Sequence, residues 1–286
     1  MNFNTRIDKI TDPLITSTGV ELSVKRDDLI HPYVSGNKLY KLIYNVHEAK
    51  KLGHNTILTF GGAWSNHLVA TAAYCKENGL KSIGIIRGDE LASRVLSPAL
   101  KFCQEQGMQL HFVNREEYKL KTEVAFISRL NELFGPFFLV PEGGANALGV
   151  KGAAEILNSV NGYDYVACAC GTGTTLAGLI TAALPNTTYM GFSVLKGEDT
   201  LTAEVEKYVG HTNGWSINTD YHCGGYAKTT PELLAFKEQF EKINQIPLDS
   251  VYTAKLFLGL YSLINKGLFP SGTKILAIHT GGYAFS

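Results

Sequence analysis

The sequence lacks what would mark a secreted, membrane-bound or polyanion-binding protein. It has no net charge: its 286 residues include 26 basic and 26 acidic side chains. A balanced chain has no long-range pull on nucleic acid or anionic lipid, so neither is an expected partner. No stretch approaches the roughly 20 consecutive apolar residues of a membrane span. The N-terminus, Met1-Asn2-Phe3-Asn4-Thr5-Arg6, lacks the apolar core of a signal peptide. A soluble, cytoplasmic protein is the expectation. Cysteine is scarce and odd in number: Cys75, Cys103, Cys168, Cys170 and Cys223. That argues against a disulfide framework. Cys168-Ala169-Cys170 is the only close pair, and zinc sites use wider spacing and a second pair, so no metal is expected. Internal repeats, low-complexity segments and long linkers are also missing.

What is present is an alternation of strand and helix patterns. Residues 1 to 34 read as short extended pieces, with Leu14-Ile15-Thr16 and Glu21 to Lys25 as strand candidates around Gly19. Lys25-Arg26-Asp27-Asp28 reads as a solvated turn with internal ion pairs. Strands are expected at Thr56–Phe60, Lys81–Ile86, Gln109–Val113, Phe137–Val140, Tyr165–Cys170, Thr188–Val194, Gly214–Asn218 and Lys274–His279. Helices are expected at Asn66–Lys76, Ser93–Gln106, Glu116–Phe134, Ala147–Val160, from the Gly171 loop to Ala183, near Thr200–Val209, and at Pro231–Asn244 and Ser250–Lys266. Such alternation predicts an α/β fold, a parallel sheet with helices on both faces. The pattern alone allows a single doubly wound domain.

Three stretches carry chemistry. In the first, Leu39, Leu42, Ile43 and Val46 recur at helical spacing, with Ser35 or Asn37 as cap and Gly53 as stop. Lys38 then falls in or beside the first turn, where the helix dipole disfavours a cation. That field should lower the lysine pKa and supply the neutral amine that captures a carbonyl. A surface lysine at a badly charged helix start is the competing account. In the second, Gly171-Thr172-Gly173-Thr174-Thr175 follows a strand and opens a helix. Glycines let several N–H groups face one anion, and threonine hydroxyls add donors. No Gly-Lys-Ser/Thr follows, so this is not a P-loop, and Leu176 replaces the third glycine of a dinucleotide fingerprint. The loop better suits a single phosphate monoester, or is a plain strand–helix turn. In the third, Gly61-Gly62-Ala63-Trp64-Ser65-Asn66-His67 also joins a strand to a helix, with Ser65 or Asn66 as cap. Its N–H groups could hold a carboxylate. Pro141 to Asn146 reads mainly as a structural loop, and His279 as a satisfied strand residue.

Gly36 to Leu42, together with Gly61 to His67, Gly171 to Thr175, Val251-Tyr252-Thr253 and His279 to Gly282, resembles the D-cysteine desulfhydrase and 1-aminocyclopropane-1-carboxylate (ACC) deaminase family. These segments stand in the family's order over nearly the whole chain. The resemblance implies pyridoxal 5'-phosphate as cofactor and fold type II, the tryptophan synthase β-like arrangement of two three-layer α/β domains with mainly parallel sheets. It implies a large domain of residues 1–41 and 156–286, a smaller inserted one of 42–155, and the cofactor between them. It assigns Lys38 to the cofactor's aldehyde, Lys41 and the Gly171–Thr175 loop to its phosphate, Asn66 to its phenolic oxygen and Thr280 to its ring nitrogen. Ser65, Asn66 and His67 would meet a small amino-acid substrate, with Ser65, Tyr226 and Tyr252 as further catalytic candidates. A homodimer is also implied.

Two details bear on the reaction. Val69 stands where the family often has arginine. Thr253 and Thr280 match the desulfhydrase-like pattern, whereas ACC deaminases tend to have glutamate and leucine there. The expected reaction is elimination from D-cysteine to pyruvate, ammonia and hydrogen sulfide. The alternatives are ACC ring opening to 2-oxobutyrate and ammonia, and a non-catalytic protein that binds a phosphate ligand.

Overall fold

Every residue from Val166 to Cys170 is buried, and so is every residue from Ile275 to Ile278. A strand buried at successive positions is covered on both faces, which requires helices on each side of its sheet. The computed structural model, which describes residue 3 and residues 5–197 and 200–282, has this architecture twice.

The chain opens with β1 (Ile7–Lys9), α1 (Pro13–Thr16) and β2 (Glu21–Lys25). It continues through α2 (Asn37–Lys51), β3 (Thr56–Gly61), α3 (Asn66–Glu77), β4 (Lys81–Arg87), α4 (Pro98–Glu105) and β5 (Met108–Val113). Next come α5 (Arg115–Lys119), α6 (Val124–Phe134), β6 (Phe138–Leu139) and α7 (Ala147–Ala154). The last stretch holds β7 (Tyr165–Cys170), α8 (Thr174–Thr181), β8 (Thr188–Ser193), α9 (Thr200–Val209), β9 (Trp215–Asn218), α10 (Pro231–Asn244), α11 (Thr253–Asn265) and β10 (Lys274–Ile278).

These elements form two compact units. One is Lys38–Gly149, and the other consists of the described residues up to Asn37 and from Val150 on. The first has a four-stranded parallel sheet in the order β5-β4-β3-β6. The second has a six-stranded sheet in the order β1-β2-β10-β7-β8-β9, parallel except for the β1–β2 pair. In the second unit, Ala167, Ala169, Met190 and Phe192 share a core with Phe240 of α10 and Phe257 and Leu260 of α11. On the opposite face, Leu176 of α8 lies over Gly191. Fully burying a Phe or Leu side chain stabilises by roughly 1.5–3 kcal/mol, so this cluster anchors the loops at the sheet's end.

Several expectations are corrected. Leu14-Ile15-Thr16 is helical, because Asp12 caps the turn through Leu14 N–H at 2.9 Å and Pro13 presets its first residue. The helix expected from Ser93 starts only at Pro98, where Ser97 caps it. The stretch from Glu116 to Phe134 is two helices: Asn114 caps the first, and a turn at Leu120–Glu123 breaks the run. Lys25, Arg26, Asp27 and Asp28 are buried rather than solvated. Arg26 grips Asp28 with two parallel bonds of 2.9 and 2.7 Å and reaches Asp8 at 2.9 Å, while Lys25 pairs with Asp27. Partners from β1 make this burial tolerable, since a buried charge left alone would cost several kcal/mol.

Candidate active site

α2 starts at Asn37 and ends at Lys51, belongs from Lys38 on to the unit Lys38–Gly149, and has Gly53 just beyond it at φ 80. Lys38 therefore lies in the first turn, half-buried. Lys41 follows one turn later and is only 3% exposed, so it does not face solvent. Its Nζ donates to the Gly143 carbonyl at 3.2 Å. Gly143 and Gly144 both have positive φ, and a Cβ on Gly144 would sit 3.2 Å from Lys41 Cβ and 3.6 Å from His67 Cε1. The Pro141–Asn146 loop thus packs on a lysine and an imidazole.

In the same unit, β3 delivers the chain to α3, which Ser65 caps by accepting from Leu68 N–H at 3.3 Å. Asn66 is the first residue of that helix, half-buried. His67 is buried, and one ring nitrogen, Nε2, lies 2.9 Å from the Thr59 hydroxyl. Burial, then the charges of Lys38 and Lys41, push its pKa down to about 3. The ring is neutral at physiological pH. Its Nδ1 is buried and, among the described residues, meets no hydrogen-bond partner. An orphaned buried nitrogen costs about 1–3 kcal/mol, and an incoming oxygen acceptor or donor would relieve it. Val69 is core, 2% exposed, so the position where arginine is common is sealed here.

The other unit holds the glycine loop. Gly173 caps α8 in the left-handed region at φ 73, and a Cβ there would lie 2.7 Å from Val205 Cγ2. Thr172 is exposed, and its hydroxyl lies 2.9 Å from that of Thr174. Thr174 and Thr175 are buried at the helix start. The first four N–H groups of a helix have no partner within it. Peptide donors, hydroxyls, a dipole of the right sign and no carboxylate between 171 and 175 make a cradle for a phosphate.

The segment leading to Lys38 is pinned to this cradle and to the end of β10. Asn37 Nδ2 donates to Thr175 Oγ1 at 2.7 Å. Gly36 has φ +60, and a Cβ on it would fall 1.9 Å from the Thr280 carbonyl oxygen. Only glycine allows that approach. The Gly36 N–H also donates to the Asp27 carbonyl at 3.0 Å, so the buried charge cluster supports the same segment. Lys38 is the next residue after Asn37. Thr280 itself is 7% exposed. His279 beside it has both ring nitrogens engaged: Nε2 donates to the Pro247 carbonyl at 2.7 Å and Nδ1 accepts from Gly281 N–H at 3.2 Å. The Asp28 carboxylate lies 3.6 Å from Nδ1 as well, so the ring has a structural role.

Tyr252 precedes α11, and its ring would touch a Cβ on Gly171 at 3.3 Å. Tyr226 is 42% exposed and meets Tyr252 edge-on, ring centroids 6.1 Å apart. Asp249 organises the start of α11. It accepts from the N–H groups of Val251, Tyr252 and Thr253 at 2.7–2.9 Å and from the Thr253 hydroxyl at 2.7 Å.

Each unit therefore gathers part of the expected set. Lys38, Lys41, Ser65, Asn66 and His67 belong to one; Gly171–Thr175, Tyr226, Tyr252 and Thr280 belong to the other. Taken by itself, one unit offers a cradle that fits a phosphate, and the other offers an amine in a helix's first turn that fits an aldehyde. Sequence reasoning missed Asp249 and Lys255. Lys255 had a visible signal, as the one charge in the helix Thr253–Asn265, yet it is fully buried. The five cysteines are free thiols, and Cys168 and Cys170 share a strand face with sulfurs 3.9 Å apart. Among the described residues no helix is long and apolar enough to cross a membrane.

Comparison with known proteins agrees with this chemistry. A family model described as pyridoxal-phosphate dependent enzyme matches residues 10–281. A putative 1-aminocyclopropane-1-carboxylate deaminase of Thermotoga maritima is 33% identical, over 92% of this chain and 89% of its own length. A bifunctional D-cysteine desulfhydrase/1-aminocyclopropane-1-carboxylate deaminase, mitochondrial, of Arabidopsis thaliana is 32% identical over 92% of this chain and 73% of its own. The crystal structure of an ACC deaminase homologue superposes with TM-score 0.81 at 28% identity, covering 98% of this chain and 90% of that one.

Proposed function

Because the chain belongs to the family of pyridoxal-phosphate dependent enzymes, we propose that it is a lyase that takes the thiol from D-cysteine, giving pyruvate, ammonia and hydrogen sulfide. Its fold is that of the fold type II members of the family, and its relatives carry both the deaminase and the desulfhydrase names. When bound, pyridoxal phosphate supplies an electron sink for negative charge at the substrate's α-carbon.

In this reading Lys38 Nζ would hold the cofactor's aldehyde and, as a free amine, would take the substrate's α-proton. Gly171, Thr172, Gly173, Thr174 and Thr175 donate N–H and hydroxyl groups to the phosphate, and Lys41 adds positive charge. Asn66 donates to the phenolic oxygen. The Thr280 hydroxyl meets the ring nitrogen without supplying a charge, which keeps the sink mild. Ser65, the first N–H groups of α3 and the orphaned Nδ1 of His67 take the substrate's carboxylate. A neutral His67 binds by hydrogen bonding rather than by charge. Tyr226 and Tyr252, whose rings meet edge-on, are further catalytic candidates.

One observation supports thiol elimination over ring opening. The Thr253 hydroxyl is bonded to Asp249, and Asp249 also takes three backbone N–H groups. The position after Tyr252 thus offers no uncommitted carboxylate as an acid or base for the cyclopropane. The test is product analysis of the holoenzyme. Pyruvate from D-cysteine, faster than 2-oxobutyrate from ACC, is expected; the reverse order would overturn the choice. ACC deamination is the second reading, favoured by the name of the Thermotoga relative.

A further inference from the structure

Lys255 is the one charged residue of α11 and is fully buried. An ammonium has three N–H donors. Among the described residues one acceptor meets them, the Gly225 carbonyl at 2.7 Å. Burial pushes its pKa down, while the Cys223 thiol and the Asp249 carboxylate oppose that shift. A buried cation facing a neutral carbonyl costs stability, and an apolar side chain of the same length would avoid that cost. A residue that weakens the fold at such a place calls for a role.

The acceptor indicates the role. Gly224 and Gly225 have φ of 93° and 113°, a turn that few side chains tolerate. Within it the Gly225 N–H donates to the His222 carbonyl at 3.0 Å, and the Gly225 carbonyl also accepts from Lys228 N–H at 3.1 Å. Tyr226 is the next residue, and its ring stands edge-on to Tyr252. Tyr252 lies three residues before Lys255 and borders Gly171 of the phosphate loop.

We propose that Lys255 is a positioning residue, which grips the Gly225 carbonyl and so sets Tyr226 against Tyr252 as an aromatic wall for the substrate. The wall's role at the substrate rests on the function proposed above; the grip on the turn does not.

The experiment compares Lys255→Met, Tyr226→Leu and the double variant with the parent. Without substrate, Lys255→Met should melt at or above the parent's temperature, while amides 224–228 exchange hydrogen at least about tenfold faster and those of β7 do not change. With the holoenzyme and D-cysteine, each single variant should raise KM about tenfold and change kcat less than about threefold. The double variant should raise KM no further than the worse single one, because both act through one wall. Unchanged exchange at 224–228, loosening spread across β7, or additive effects on KM would each overturn the proposal. Because melting and exchange need no turnover, failure of the parent to use D-cysteine would sink the functional reading and leave this one decided.

Discussion

Lys38 and Lys255 sit in the first turns of α2 and α11 and have opposite settings. Lys38 is half-buried and follows directly on Asn37, which is bonded to Thr175 of α8. Lys255 is sealed, with its ammonium on the Gly225 carbonyl. Lys41 resembles Lys255 more than its neighbour Lys38: it too is buried and donates to a glycine carbonyl in a positive-φ turn. A lysine pKa lowered by burial is therefore a poor guide to the cofactor lysine, since it would select Lys255. Access and the anchoring of adjacent residues are why Lys38, not Lys255, is proposed for that role.

The largest effect should come from Lys38 itself. Lys38→Ala should lower turnover by at least about a thousandfold, because in the proposed function Lys38 is both the covalent anchor and the proton carrier. Steady-state kinetics would show it, and a small loss would make the two lysines interchangeable. Next is the backbone that leads to Lys38. Gly36→Ala should destabilise the protein by about 3 kcal/mol or more in urea denaturation, through a left-handed φ and a clash with Thr280. Gly62→Ala, where the nearest atom is 3.7 Å away, should cost less than about 1 kcal/mol. Equal costs would contradict the close packing at Gly36.

The sequence made the strand–helix junctions at the candidate site legible because their devices are local. A glycine loop between strand and helix, a helix period after Lys38 and a capping Ser65 are each written within a few residues. The burial of Lys25–Asp28 was not legible, since the outside partners that complete its pairing, the Thr5 hydroxyl and the Asp8 carboxylate, lie some twenty residues earlier. Nor was Lys255, whose single acceptor lies 30 residues away. The helix at Leu14 was hidden by a β-like triplet and revealed only by Asp12 and Pro13.

A smaller effect concerns His67. Its native pKa, about 3, lies below the usual 6.5, so the unfolded chain binds more protons between those values. Stability from this group is complete above about pH 6.5 and is lost as the pH falls toward 3, by about 1.4 kcal/mol per pH unit. His67→Gln should flatten the acid side of a stability–pH curve by that slope; parallel curves would contradict the neutral, buried imidazole. A modest effect is expected for Asn37→Ala, about 1–2 kcal/mol for one buried hydrogen bond to Thr175. It should also weaken retention of the cofactor, measured by its loss on dialysis.

The most direct measurement is borohydride reduction of the protein loaded with pyridoxal phosphate, followed by peptide mass mapping. The account predicts the added mass on the peptide containing Lys38, with Lys41 and Lys255 unmodified. Modification of Lys255 or Lys41 in place of Lys38 would contradict it.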